Sequence, residues 1–121
     1  MLLADDHPGI LAVFQLLLEP DCEIVGRVSD GLALLQEAVT LKPDVIVLDI
    51  ALPKVNGFEA CRRLKQVLPE SAIVVATASK DPELKENALR LGASAFLYKH
   101  LAADELLRAV RHAVHDQLPQ E

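Results

Sequence analysis

DVIVLDIALPKVNG, residues 44–57, is the stretch on which the fold turns. Four apolar residues, Val45 to Leu48, run into a carboxylate, Asp49, and then into a loop holding Pro53 and Gly57. An apolar run of this length reads as a strand buried on both faces, as in parallel sheets covered by helices. A carboxylate has no place inside such a core. It belongs where the chain leaves the sheet and a ligand can be met.

Working outward, strand-like runs alternate with helix-period segments along the whole chain. Strands are predicted at 1–4, 23–28, 44–48, 72–76 and 95–98. Helices are predicted at 9–19, 31–41, 57–68, 83–91 and 103–115. In the last of these Leu106, Val110, Ala113 and Val114 share one face, and Arg108, Arg111, His112 and His115 another. In the fourth, Leu84, Ala88 and Leu91 recur at the helical interval before Gly92 supplies a stop. Pro43, Pro69 and Pro82 fall between segments. Five strand–helix repeats imply an α/β, flavodoxin-like (βα)5 doubly wound sandwich with right-handed crossovers and sheet order 2-1-3-4-5. The domain is expected to span residues 1–116. The closing HDQLPQE loses the apolar period, so 117–121 read as a tail or the start of a linker.

Composition agrees. A chain of 121 residues is one domain with a core of its own. It is 51% hydrophobic but 3% aromatic, without Trp, so that core is aliphatic. A net charge of −6 argues against nucleic-acid binding by this domain itself. There is no long apolar span and no signal-peptide pattern, so no membrane association and a cytoplasmic location are expected. Cys22 and Cys61 lack any metal-ligand or CxxC spacing and read as small buried hydrophobes in a reducing compartment.

Polar residues then collect at one edge of the predicted sheet. Asp5 and Asp6 follow the first strand, Asp49 the third, Thr77 the fourth and Lys99 the fifth. Ligands in open α/β sheets gather outside the carboxyl ends of the strands at the switch point, here between strands one and three. Three converging carboxylates repel one another unless a cation sits among them, and a hard oxygen-seeking ion such as Mg²⁺ fits. One carboxylate could then attack phosphorus to form an aspartyl-phosphate, with Lys99 and Thr77 neutralising charge. Singly, each has a plainer reading: Asp6 before His-Pro-Gly could cap a helix, Thr77 is a β-former, and Lys99 could be solvated. Four strands ending alike make those readings the poorer explanation.

At these residues the chain resembles a response-regulator receiver domain, the CheY-like fold of two-component signalling. The likeness runs from LLADDHPG through DIALPKVNG and VVATAS to AFLYK. The resemblance implies that Asp49 is the phosphoacceptor, served by a sensor histidine kinase or a phosphotransfer protein. It implies Mg²⁺ held by Asp5, Asp6, Asp49 and the backbone carbonyl of Ala51, with Asp6 the direct ligand and Asp5 working through water. Thr77 matches the switch hydroxyl, Lys99 the phosphate partner, and Phe96 the aromatic that turns inward with the threonine. Ala51 and Ser79 match positions that tune phosphate lifetime. His7-Pro8 after the acidic pair, and His100 after Lys99, resemble the subfamily that carries a LuxR-type helix-turn-helix. DNA would then be reached only through that effector, which these residues do not contain. The switch would alter the surface around helix four, strand five and helix five, controlling transcription, and a homodimer through helix five is a further expectation. Two other readings stand beside this one. A pseudo-receiver would keep the fold without phosphorylation, and a haloacid-dehalogenase-like phosphohydrolase would want an acid where Ala51 stands.

Overall fold

The structure, a computed structural model, describes residues 1–20, 22–78, 81–99 and 103–117, with the side chains of 103, 104 and 114–117 outside that description. Ser79, His100, residues 118–121 of the expected tail and the side chains of Val114 and His115 therefore lie outside the described residues.

Ten elements alternate as expected. They are β1 (Leu2–Ala4), α1 (Pro8–Leu18), β2 (Gly26–Val28), α2 (Gly31–Leu41), β3 (Val45–Asp49), α3 (Gly57–Val67), β4 (Ala72–Thr77), α4 (Pro82–Arg90), β5 (Ala95–Tyr98) and α5 (Ala103–Gln117). The strands form one parallel sheet in the order β2-β1-β3-β4-β5. Register aligns Ala4 with Leu48, Leu48 with Val75, and Val75 with Phe96. Asp5, just past β1, and Asp49, the last residue of β3, therefore stand at the same level.

Strand parity splits the core in two. Leu3, Val45, Val47, Val74 and Leu97 pack with Leu11, Phe14 and Leu18 of α1 and Leu106, Val110 and Ala113 of α5. Leu2, Ile46, Leu48, Ile73 and Val75 pack with Leu34, Ala60, Leu64 and Ala88 of α2, α3 and α4. Val45 to Leu48 are all buried, as a central parallel strand requires. α4 is the least anchored of the helices on its face: it buries Ala88, while Leu84 and Leu91 are half-buried.

Some boundaries differ from expectation, with local causes. β2 is confined to Gly26–Val28. The preceding Glu23 and Val25 bond instead to Met1, whose ammonium donates to Glu23 O at 2.8 Å and whose carbonyl accepts the Val25 N–H at 2.9 Å. α1 begins at Pro8 after an extended His7, so Asp6 does not cap it. Proline suits that first position because its missing N–H would have been unpaired anyway. α5 runs to Gln117, two residues beyond the expected end. Gly92 does end α4, with φ +104°. Cys61 is buried, and burial pushes its thiol up to about 11, whereas Cys22 is half-buried.

Gly57 opens α3 where only a bare Cα fits. A Cβ there would stand 2.4 Å from the Asp49 carbonyl oxygen, so the need is for close approach of α3 to the end of β3. Its N–H donates to Ile50 O at 2.7 Å, closing the loop that begins at Asp49.

Candidate phosphoacceptor site

The strand ends bring Asp5, Asp49, Thr77 and Lys99 together at one edge of the sheet, and all four are largely buried. Residue exposure is 1% for Asp5, 4% for Asp49 and 3% for Thr77. The Lys99 ammonium donates to Asp49 Oδ2 at 2.9 Å and makes an ion pair with Asp5 Oδ2. Lys99 is itself fixed to the neighbouring strand, its N–H donating to Thr77 O at 2.8 Å. Burial alone would lower the lysine pKa, but the two carboxylates outweigh it and hold the ammonium above its ordinary value.

The other carboxylate oxygens are oriented by backbone. The Ala51 N–H donates to Asp49 Oδ1 at 3.2 Å, and the His7 N–H to Asp5 Oδ1 at 3.0 Å. Each aspartate thus bends the chain after its own strand while aiming its second oxygen at Lys99. Asp6 is more exposed, and its Oδ1 lies 2.9 Å from His7 Nδ1.

The ligand-bearing atoms of Asp5, Asp6 and His7 lie within 4.8 Å of one another. Asp49 joins Asp5 through the shared Lys99 ammonium, and the imidazole of His7 lies against the acidic pair, its Nδ1 also 3.3 Å from Asp5 Oδ1. His7 was singled out in the sequence as a subfamily marker and not as part of the site. The signal available was its adjacency to two acids just before a helix start.

The donor set fits a divalent cation. Three carboxylates stand against one ammonium, and the Asp5 Oδ2 that meets Lys99 is a buried oxygen with no hydrogen bond of normal geometry. Oxygen ligands with this excess of negative charge suit Mg²⁺.

Phe96 is half-buried on the α4 side of the sheet, in edge-to-face contact with Tyr98 at a centroid separation of 5.4 Å and 85° between the rings. On α5, Arg108, Arg111 and His112 are exposed.

A parallel five-stranded sheet in this order, with acids and a lysine meeting at its carboxyl edge, matches the architecture that the resemblance to receiver domains implied. Comparison with known proteins gives the same result: the chain belongs to the response regulator receiver domain family, matching it over residues 1–111. It is 36% identical over 115 residues to the nitrate/nitrite response regulator protein NarL of Escherichia coli K12, covering 93% of this chain and 53% of that protein. To the transcriptional regulatory protein DegU of Brevibacillus brevis it is likewise 36% identical over 115 residues, covering 92% and 48%. A LuxR-family two-component response regulator of Aurantimonas sp. SI85-9A1 superposes with a TM-score of 0.89 at 26% identity, over 95% of this chain and 84% of that one. The chain spans about half the length of NarL and DegU. No helix among the described residues is long and apolar enough to cross a membrane.

Proposed function

We propose that Asp49 accepts a phosphoryl group from a phosphohistidine on a sensor histidine kinase or phosphotransfer protein, and that the modified domain then switches a transcriptional output. The observation that carries this reading is the buried Lys99 ammonium held between Asp49 and Asp5 at the carboxyl ends of the strands. In the transfer, a carboxylate oxygen of Asp49 bonds to phosphorus as the phosphorus–nitrogen bond breaks, and the departing imidazole takes up a proton. Asp5, Asp6, Asp49 and the Ala51 carbonyl would hold Mg²⁺, which supplies charge neutralisation for the phosphoryl oxygens. Lys99 already sits on the Asp49 carboxylate, and Thr77 ends the adjacent strand as a hydroxyl donor. Beyond its own phosphorylation and dephosphorylation the domain turns over no substrate.

The new group adds a charge of about −1.5 to −2 and several acceptor oxygens. Thr77 and Lys99 gain a target, Phe96 turns inward, and the surface formed by α4, β5 and α5 changes. The sparse anchoring of α4 suits a helix that must shift. DNA contact would come through an effector domain of a longer protein acting in the cytoplasm. α5, with Arg108 and Arg111 on its outer side, is the face proposed for a homodimer; a molar mass left unchanged by beryllofluoride would count against it.

Intact mass after incubation with Mg²⁺ and acetyl phosphate tests the central claim. One phosphate adduct, lost in Asp49→Asn, is expected. No adduct with any donor would favour a pseudo-receiver, and sustained multiple turnover a phosphohydrolase.

A further inference from the structure

The loop from Asp49 to Gly57 carries the two groups on which the site depends, the Ala51 N–H that orients Asp49 and the Ala51 carbonyl assigned to the metal. Little within the loop fixes it. Its internal bonds are Val55 N–H to Pro53 O at 2.8 Å and Gly57 N–H to Ile50 O at 2.7 Å. The loop is exposed at Ala51, Pro53 and Lys54, and Lys54 is left-handed at φ +69°. From outside it is held by the core that buries Leu52 and by the first turn of α2, an element with no part in the chemistry.

Three contacts make that clamp. The Gly31 N–H donates to Pro53 O at 3.0 Å. Asp30, whose Oδ1 caps α2 by accepting the Ala33 N–H at 2.7 Å, reaches Lys54 Nζ with Oδ2 at 3.6 Å. Most tellingly, a Cβ on Gly31 would lie 1.8 Å from Val55 O and 2.7 Å from both Val55 C and Val55 Cβ. Two of those neighbours are backbone, so the loop itself would have to yield by well over an ångström. Gly9, by contrast, has open space where its Cβ would be.

We propose that Gly31 is a positioning residue for the chemistry at Asp49: its bare Cα and its N–H seat the 49–57 loop, and through Ala51 set the aim of the Asp49 carboxylate. The role rests on the phosphoacceptor reading above. It makes α2, through Asp30 and Gly31, a determinant of phosphorylation rate without any contact to the reacting atoms. A substitution far from the chemistry that misplaces the reacting groups by about 1 Å can cost about 100-fold in rate.

The test compares wild type, Gly31→Ala, Gly9→Ala and Asp30→Asn for the initial rate of adduct formation with acetyl phosphate and for the Mg²⁺ concentration at half-maximal rate. The amide resonance of Ala51 and the thermal midpoint are read on the same samples. Gly31→Ala is expected to slow phosphorylation by about 10- to 100-fold and to move the Ala51 resonance, while Gly9→Ala changes neither. Asp30→Asn keeps an equally good N-cap but loses the charge facing Lys54, and a fall of about two- to fivefold is expected. A folded Gly31→Ala with wild-type rate and an unmoved Ala51 resonance would overturn the proposal. If Gly31→Ala does not fold, an Asp30→Asn indistinguishable from wild type in rate and in the Ala51 resonance overturns it. Absence of any adduct on the wild-type protein would overturn the phosphoacceptor reading instead, and the Ala51 resonance would still decide the positioning role.

Discussion

Replacing Lys99 by methionine removes the ammonium between Asp5 and Asp49 while leaving a side chain of similar length. The lysine side chain is 9% exposed and its partners 2% and 5%, so the pair is buried and not a solvated surface bridge. Breaking a buried pair by removing one partner costs about 3–5 kcal/mol, because the other charge is left without compensation. Here each aspartate keeps one backbone hydrogen bond, from His7 or from Ala51, which places the cost near the lower end, about 3 kcal/mol. For a domain of this size the thermal midpoint should fall by about 10 °C. The assay is thermal unfolding by circular dichroism in EDTA, repeated with Mg²⁺. The cation should recover part of the loss by restoring positive charge among the acids. Adding Asp49→Asn to Lys99→Met should also recover stability, since one of the stranded charges is gone. A loss below about 1 kcal/mol, the value of an exposed ion pair, would refute the reasoning from burial.

Three other outcomes follow from the packing and the surface charges. Leu48→Ala, at a fully buried position on the α3 side of β3, should destabilise by about 2–5 kcal/mol in urea unfolding. Glu59 is held at about 2, below its ordinary 4.5, by hydrogen bonds from Arg62 and then Arg63. Its stabilising contribution is therefore present above pH 4.5 and lost as pH falls towards 2, so the melting curves of wild type and Glu59→Gln should converge over that window. Cys61, buried with its thiol pushed up to about 11, should resist iodoacetamide at neutral pH until the protein is unfolded, as mass mapping would show.

The sheet order was legible because parallel strands write themselves plainly: Val45 to Leu48 and Ala72 to Ala76 are continuous apolar runs, and helix-period segments lie between them. The site was legible for the same reason, since Asp5, Asp49, Thr77 and Lys99 each stand just where such a run stops. Less visible was anything set by tertiary contact. Ile24 and Val25 carry strand-like composition, but at the sheet edge the backbone there bonds to Met1 and the ladder starts only at Gly26. The roles of Gly31 and Gly57 depend on which backbone passes over them, Val55 in one case and Asp49 in the other. Spacing along the chain carries no trace of that. Nor does it tell that Lys99 stands between Asp49 and Asp5, or that the His7 ring lies against both acids of the pair.

The division of the core by strand parity has a consequence for direction. Phe96 and Leu97 are neighbours in sequence, yet the sheet puts them in separate compartments, one shared with α4 and the other with α1 and α5. Any rearrangement of Phe96 therefore changes the free volume on one side alone. The sheet works as a partition, so a rearrangement of that ring would be felt first in the compartment it shares with α4.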